Sequence, residues 1–211
     1  MIPSRRTLAA LALTTLTAGG LVMALSGPAS AARPFASVKL STAAGLEIGS
    51  ATFTNRQAGL TTVVVNLDIP DGVTSVRAFH GFHVHANDVT DNGAGCVADP
   101  AADPTTWFTS ADGHYKATDE THASHLGDMP SLLVNSDGTA SATFSTDRFT
   151  PDTLRDRVVI LHAGADNFGN VPVGTLADQY SANSEAALTK TQGTGNAGNR
   201  VACGVIAIPG R

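Results

Sequence analysis

Basic charge is scarce in this chain: 13 lysines and arginines stand against 18 aspartates and glutamates in 211 residues. A nucleic-acid partner needs a positive footprint to neutralise phosphates, so that class is set aside. Helical spacing is scarce too. Pro151–Asp156 has the length of one turn and Gln179–Leu188 suits a short helix, but few other stretches repeat at 3.6 residues, which argues against a helical fold. Cysteine is limited to Cys96 and Cys203, and neither lies near the N-terminus, which argues against a lipid-anchored bacterial lipoprotein. Histidine is missing from both ends of the chain. All seven, His80, His83, His85, His114, His122, His125 and His162, fall in one window.

The longest apolar run is confined to the first residues. Arg5 and Arg6 precede Leu8–Leu25, and Ala29-Ser30-Ala31 follows as a small-residue cleavage site, so residues 1–31 read as a secretory signal peptide ahead of one domain over 32–211. Thr and Gly dilute the run and no positive flank follows it, which argues against a stable membrane anchor. Ser4-Arg5-Arg6-Thr7-Leu8 also suits a twin-arginine leader, and the Sec and twin-arginine routes both stay open. Removal of the leader takes away two arginines and no acid, leaving 11 basic and 18 acidic residues and a formal charge of −7. In an exported protein the two cysteines read as one disulfide. Closing a loop of about 107 residues is worth up to roughly 4–5 kcal/mol in the chain-entropy picture.

From Ser37 onward the pattern is short strands and turns. Thr61–Ile69 alternates, with Val63, Val65, Leu67 and Ile69 on one face, and Pro70-Asp71-Gly72 stops it. Ser37–Leu40, Leu46–Phe53, Leu132–Val134, Ala140–Ser145, Arg157–His162 and Val201–Ile208 read as further strands, with a hairpin turn at Asn135-Ser136-Asp137-Gly138. The expectation is an all-β sandwich or flattened barrel. Two long connections, Asp88–Pro130 and Asp166–Asn199, interrupt it, and connections of that length are usually functional. Gly193-Thr-Gly195-Asn-Ala-Gly198 matches the dinucleotide fingerprint in letters only. That fingerprint needs a strand before it and a helix after it, whereas here a loop is expected before it and a terminal strand after it.

The chemistry centres on Phe79-His80-Gly81-Phe82-His83-Val84-His85. Read as one extended run, it places His83 and His85 on the same face, with Phe82 and Val84 facing a core. Imidazoles gathered with a carboxylate suit zinc, copper, iron or nickel rather than calcium or magnesium.

The ordered motifs Gly81-Phe82-His83-Val84-His85, Gly95-Cys96, Gly113-His114-Tyr115, His125-Leu126-Gly127-Asp128, Leu161-His162-Ala163-Gly164-Ala165-Asp166 and Gly195–Ile206 resemble those of copper-zinc superoxide dismutases of the secreted bacterial type. The likeness runs from about Ser37 to Pro209. It implies a Greek-key, immunoglobulin-like sandwich and disproportionation of superoxide to dioxygen and hydrogen peroxide. By motif, His83, His85, His114 and His162 correspond to copper ligands. His114, His122, His125 and Asp128 correspond to zinc ligands, with His114 shared and able to take part in proton delivery. Asp166 corresponds to the carboxylate that bonds His83 and His122 from behind. Arg200 corresponds to a cavity arginine that attracts and orients a small anion, held through Cys96–Cys203. Lys116 and Lys190 are candidate helpers, and His80 is expected to be structural.

Two departures stand out. His114 to His125 spans 11 residues, fewer than the family usually has, although His122 keeps its eight-residue offset, and the loop from Asp166 to Arg200 carries few charges. A non-catalytic copper or zinc protein on the same fold, a buffer or delivery module, is the alternative. Such a module would be expected to lack Arg200 or part of the ligand set. The oligomeric state stays open, a homodimer included.

Overall fold

The computed structural model describes residues 36–57, 59–169 and 185–209, and the leader expected over Met1–Ala31 lies outside them. The elements are β1 (Ala36–Thr42), β2 (Glu47–Gln57), β3 (Leu60–Asp68), β4 (Ala78–His80), β5 (Phe82–His85), β6 (Leu132–Val134), β7 (Thr139–Thr146), β8 (Val158–His162), α1 (Glu185–Thr194) and β9 (Arg200–Val205). Seven strands form one curled antiparallel sheet in the order β5-β8-β9-β1-β2-β3-β7, and β4 pairs with β6. The fold is all-β, as the strand and turn pattern predicts. No helix among the described residues is long and apolar enough to cross a membrane.

In β1 and β3 the alternation along the strand also selects the buried face. Val63, Val65 and Leu67 of β3 point inward beside Val38 and Leu40 of β1, together with Phe53, Phe82 and Val84. β8 is buried throughout, and its two faces serve two clusters. Val159 and Leu161 enter the main core, while Val158 and Ile160 pack with Phe108, Ala111 and Cys203. The Cys96–Cys203 disulfide ties the long connection after β5 to β9 on that second face.

Two local expectations change. The extended run from Phe79 to His85 is divided at Gly81, whose N–H donates to Gly164 while its carbonyl accepts from His162. β4 and β5 therefore belong to different sheets. Of the helix expected over Gln179–Leu188, the part before Glu185 lies outside the described residues, and from Glu185 the helix runs on to Thr194, past the expected end. The glycine-rich stretch thus begins within the last turn of a helix rather than after a loop. Gly195, at φ 62°, ends α1 in the left-handed conformation, with its N–H donating to Thr191.

Candidate metal centre

β5 is the edge strand of the large sheet, and that position assembles the site. His83 lies opposite Ile160 and His85 opposite Val158 on β8, so both imidazoles share the face that Ile160 and Val158 line. His162 follows Ile160 by two residues and joins them. The free edge of β5 is covered by the long connection: Val84 N–H donates to Gly127, and Tyr115 N–H donates to Val84. This pairing satisfies an otherwise open strand edge and sets His114 beside His85 and Asp128 beside His83. Gly127 is required there, because a Cβ would overlap the Val84 carbonyl.

The result is two groups that share His114. One ligand atom from each of His83, His85, His114 and His162 lies within 4.8 Å of the others, and the same holds for His114, His122, His125 and Asp128. The histidines of both groups are buried. The ring nitrogens that face away are spoken for. His85 Nδ1 donates to the Asp112 carbonyl at 2.8 Å, and His162 Nδ1 donates to the Gly198 carbonyl at 3.1 Å. Carbonyls only accept, so both Nε2 atoms present lone pairs, and these lie 3.4 Å apart. His83 Nδ1 and His114 Nε2 are buried and have no hydrogen-bond partner among the described residues. Four imidazole nitrogens with nothing to bond but one another suit a cation, and a soft or borderline one.

In the second group, Nδ1 of His114, His122 and His125 lies 2.7, 3.1 and 3.3 Å from a single oxygen, Asp128 Oδ1. One carboxylate oxygen cannot be served well by three imidazoles at once. Three nitrogens and one oxygen are a donor set for closed four-coordinate zinc. Arg148 Nη1 donates to the His125 carbonyl at 2.9 Å and pins the end of the shortened segment.

Asp166 stands behind both groups, accepting from His83 Nε2 at 2.8 Å and from His122 Nε2 at 2.7 Å. The two rings therefore turn Nδ1 toward the site. Gly195 leaves room for this arrangement, because a Cβ there would overlap Asp166 Oδ1 and lie 2.5 Å from His122 Nε2. The last turn of α1 adds a further grip, with the Gln192 carbonyl accepting from His122 N–H at 2.9 Å.

Burial pushes His85 and His162 well below the ordinary imidazole range, with neighbouring imidazoles and the Arg200 charge adding to it. Burial also lowers His83, and it lowers His114 to about 3 despite the Asp128 carboxylate. These rings are neutral at physiological pH, the form that binds metal. His122 differs. Burial opposes its charge, but hydrogen bonds and charges from Asp128 and Asp166 raise it to about 9. Burial likewise opposes ionisation of Asp128 and Asp166, yet their histidine partners hold both well below the usual carboxylate range.

Arg200 begins β9 opposite His162 and is half-buried. Its guanidinium donates to the carbonyls of Phe108 and Asp112. Lys116 lines a cleft of about 390 Å³ with His114 and Asp112, whereas Lys190 lies exposed on α1. His80 is used in packing the loop. Its Nε2 donates to Ser75 at 2.8 Å, and its Nδ1 side meets Thr74 Oγ1 and the His162 carbonyl.

Several supporting residues lie outside any sequence motif. Arg157 donates to the Ala86 carbonyl at 2.6 Å and lies over the Tyr115 ring at 4.0 Å, bracing the residues just after His85 and His114. Asp112 and Arg148 also belong to this group. Only the position of Asp112, two residues before His114, offers a signal in the sequence.

The family model for copper/zinc superoxide dismutase (SODC) matches residues 47–206. A superoxide dismutase [Cu-Zn] of Mycolicibacterium paratuberculosis is 35% identical over 183 residues, 84% of this chain and 76% of the relative. One of Mycobacterium bovis is 40% identical over 131 residues, 61% of this chain and 52% of the relative, so the match spans about half of that protein. Among solved structures, the clock protein EA4 aligns with a TM-score of 0.57 at 25% identity, covering 85% of this chain and 98% of its own. The motif order, the shared histidine and the matched length lead to one assignment: the chain belongs to the copper/zinc superoxide dismutase family.

Proposed function

We propose that this superoxide dismutase works at the face of the His83–His85–His114–His162 group, with copper held by those four residues and zinc by His114, His122, His125 and Asp128. The observation that carries this reading is the set of four buried imidazole nitrogens that converge on one point and, among the described residues, face only one another. Bound there, copper would supply one-electron redox chemistry, and zinc would hold His114, His122, His125 and Asp128 in place. The reaction turns two superoxide anions and two protons into dioxygen and hydrogen peroxide.

The protein's part is positioning, charge and proton supply. The strands β5 and β8 hold His83, His85 and His162 so that electron transfer needs little rearrangement. Asp166 keeps the Nδ1 atoms of His83 and His122 turned inward. His114, whose Nε2 has no hydrogen-bond partner among the described residues, is the group that returns a proton at that atom as the second superoxide is reduced. Arg200 orients the anion, its guanidinium held by two backbone carbonyls beside His162. A metal buffer or delivery module would have no use for that cation.

We further propose that residues 1–31 act as an export signal and that the 32–211 domain works outside the cytoplasm, secreted or in the cell envelope. The disulfide and the bacterial relatives are compatible with export. All the ligand residues come from one chain, so a homodimer is compatible with this site but not required by it.

Superoxide decay, followed by its ultraviolet absorbance with protein loaded with both metals, tests the function. The expected result is decay proportional to protein concentration and far faster than with metal-free protein. Full copper occupancy with decay no faster than in the metal-free sample would favour the buffer reading.

A further inference from the structure

We infer that Asp112 is a positioning residue for the dismutation reaction, acting on His85 and Arg200 together through one peptide group. This rests on the functional reading above. Asp112 adopts φ 63°, a conformation usually left to glycine. Its backbone carbonyl accepts both from His85 Nδ1, at 2.8 Å, and from the Arg200 guanidinium. A copper-side imidazole and the substrate-orienting cation thus hang on one carbonyl oxygen.

The side chain explains why an aspartate tolerates the backbone conformation and what holds the peptide still. Asp112 Oδ2 accepts from the N–H groups of Asp88 and Val89 at 2.7 and 2.9 Å, and Oδ1 accepts from the Asn92 side chain. These residues open the long connection that follows β5. Asn87, at its start, accepts from Gly95 N–H at 2.7 Å, next to the disulfide at Cys96. The carboxylate therefore ties the chain leaving His85 to the chain entering His114, and its carbonyl is aimed from that fixed point. A glycine would adopt the same φ with less strain but would leave the turn at Asp88–Asn92 without its acceptor. The carboxylate also lies near enough to Arg200 for the two charges to affect each other's ionisation, so a purely electrostatic role has to be separated from positioning.

Asp112→Gly and Asp112→Asn separate them, compared as copper- and zinc-loaded proteins by copper(II) electron paramagnetic resonance and by superoxide decay. Asp112→Gly should fold with near-normal thermal stability, shift the copper(II) hyperfine pattern because His85 is no longer fixed, and lower the bimolecular rate about tenfold, the lower end for lost outer partners of a metal ligand. Asp112→Asn keeps one acceptor oxygen and should recover most of the spectrum and most of the rate. A wild-type spectrum and rate in Asp112→Gly would overturn the inference. So would an Asp112→Asn rate above wild type with an unchanged spectrum, since the carboxylate would then act only as a charge opposing Arg200. Failure of the broader reading would appear differently, as an inactive wild-type protein with copper bound.

Discussion

His83→Ala is expected to abolish copper retention and dismutation together while leaving the β-sheet in place. His83 contributes one of four converging nitrogens, and its Nδ1 has no hydrogen-bond partner among the described residues to lose. Its other nitrogen bonds Asp166, which would keep His122 as a partner. Removing the ring leaves a buried cavity and a half-satisfied carboxylate, a loss of about 1–3 kcal/mol, small against a core built from β1, β2, β3 and β8 and a disulfide that encloses 107 residues. Metal analysis, superoxide decay and far-ultraviolet circular dichroism of the purified variant check all three parts. A variant that keeps full activity would remove His83 from the copper site.

The second large effect concerns how an anion reaches the site. A formal charge of −7 on the 32–211 domain repels superoxide globally, so attraction has to be local, and fields focused in a cleft raise on-rates by roughly 10–10³. Arg200 is placed for this beside His162, with two carbonyls holding its planar head. Arg200→Glu should therefore lower the bimolecular rate by at least about tenfold with metal content unchanged. Arg200→Lys keeps the charge, loses the forked grip and should fall between the two. The wild-type rate should also decline as salt shortens the Debye length to about 10 Å at 0.1 M. Equal rates for the two variants would mean that Arg200 does not guide substrate.

The parts of this protein that were legible in its sequence are those governed by local periodicity. Alternation marked β3, and the His83-Val84-His85 spacing put two imidazoles on one face. The order of the histidine motifs named the family. What escaped was set by contacts between distant segments. The break at Gly81 depends on hydrogen bonds to Gly164 and His162, some eighty residues away. The helix over Glu185–Thr194 has no apolar stripe to announce it, and its end is fixed by Gly195 meeting Thr191. Asp112, Arg148 and Arg157 act through backbone carbonyls, and a carbonyl acceptor leaves no trace in residue type. The shortened His114–His125 segment drew attention in the sequence because it is short; in the structure its three histidines still meet Asp128.

In the proposed site two metals share His114, one on each ring nitrogen. Anomalous diffraction at the copper and zinc absorption edges, on crystals of the metal-loaded protein, measures this directly. The expected result is one copper peak among His83 Nδ1, His85 Nε2, His114 Nε2 and His162 Nε2, and one zinc peak among Asp128 and the Nδ1 atoms of His114, His122 and His125. Copper at the Asp128 side with the four-histidine group empty, or a His114 that touches neither metal, would contradict it.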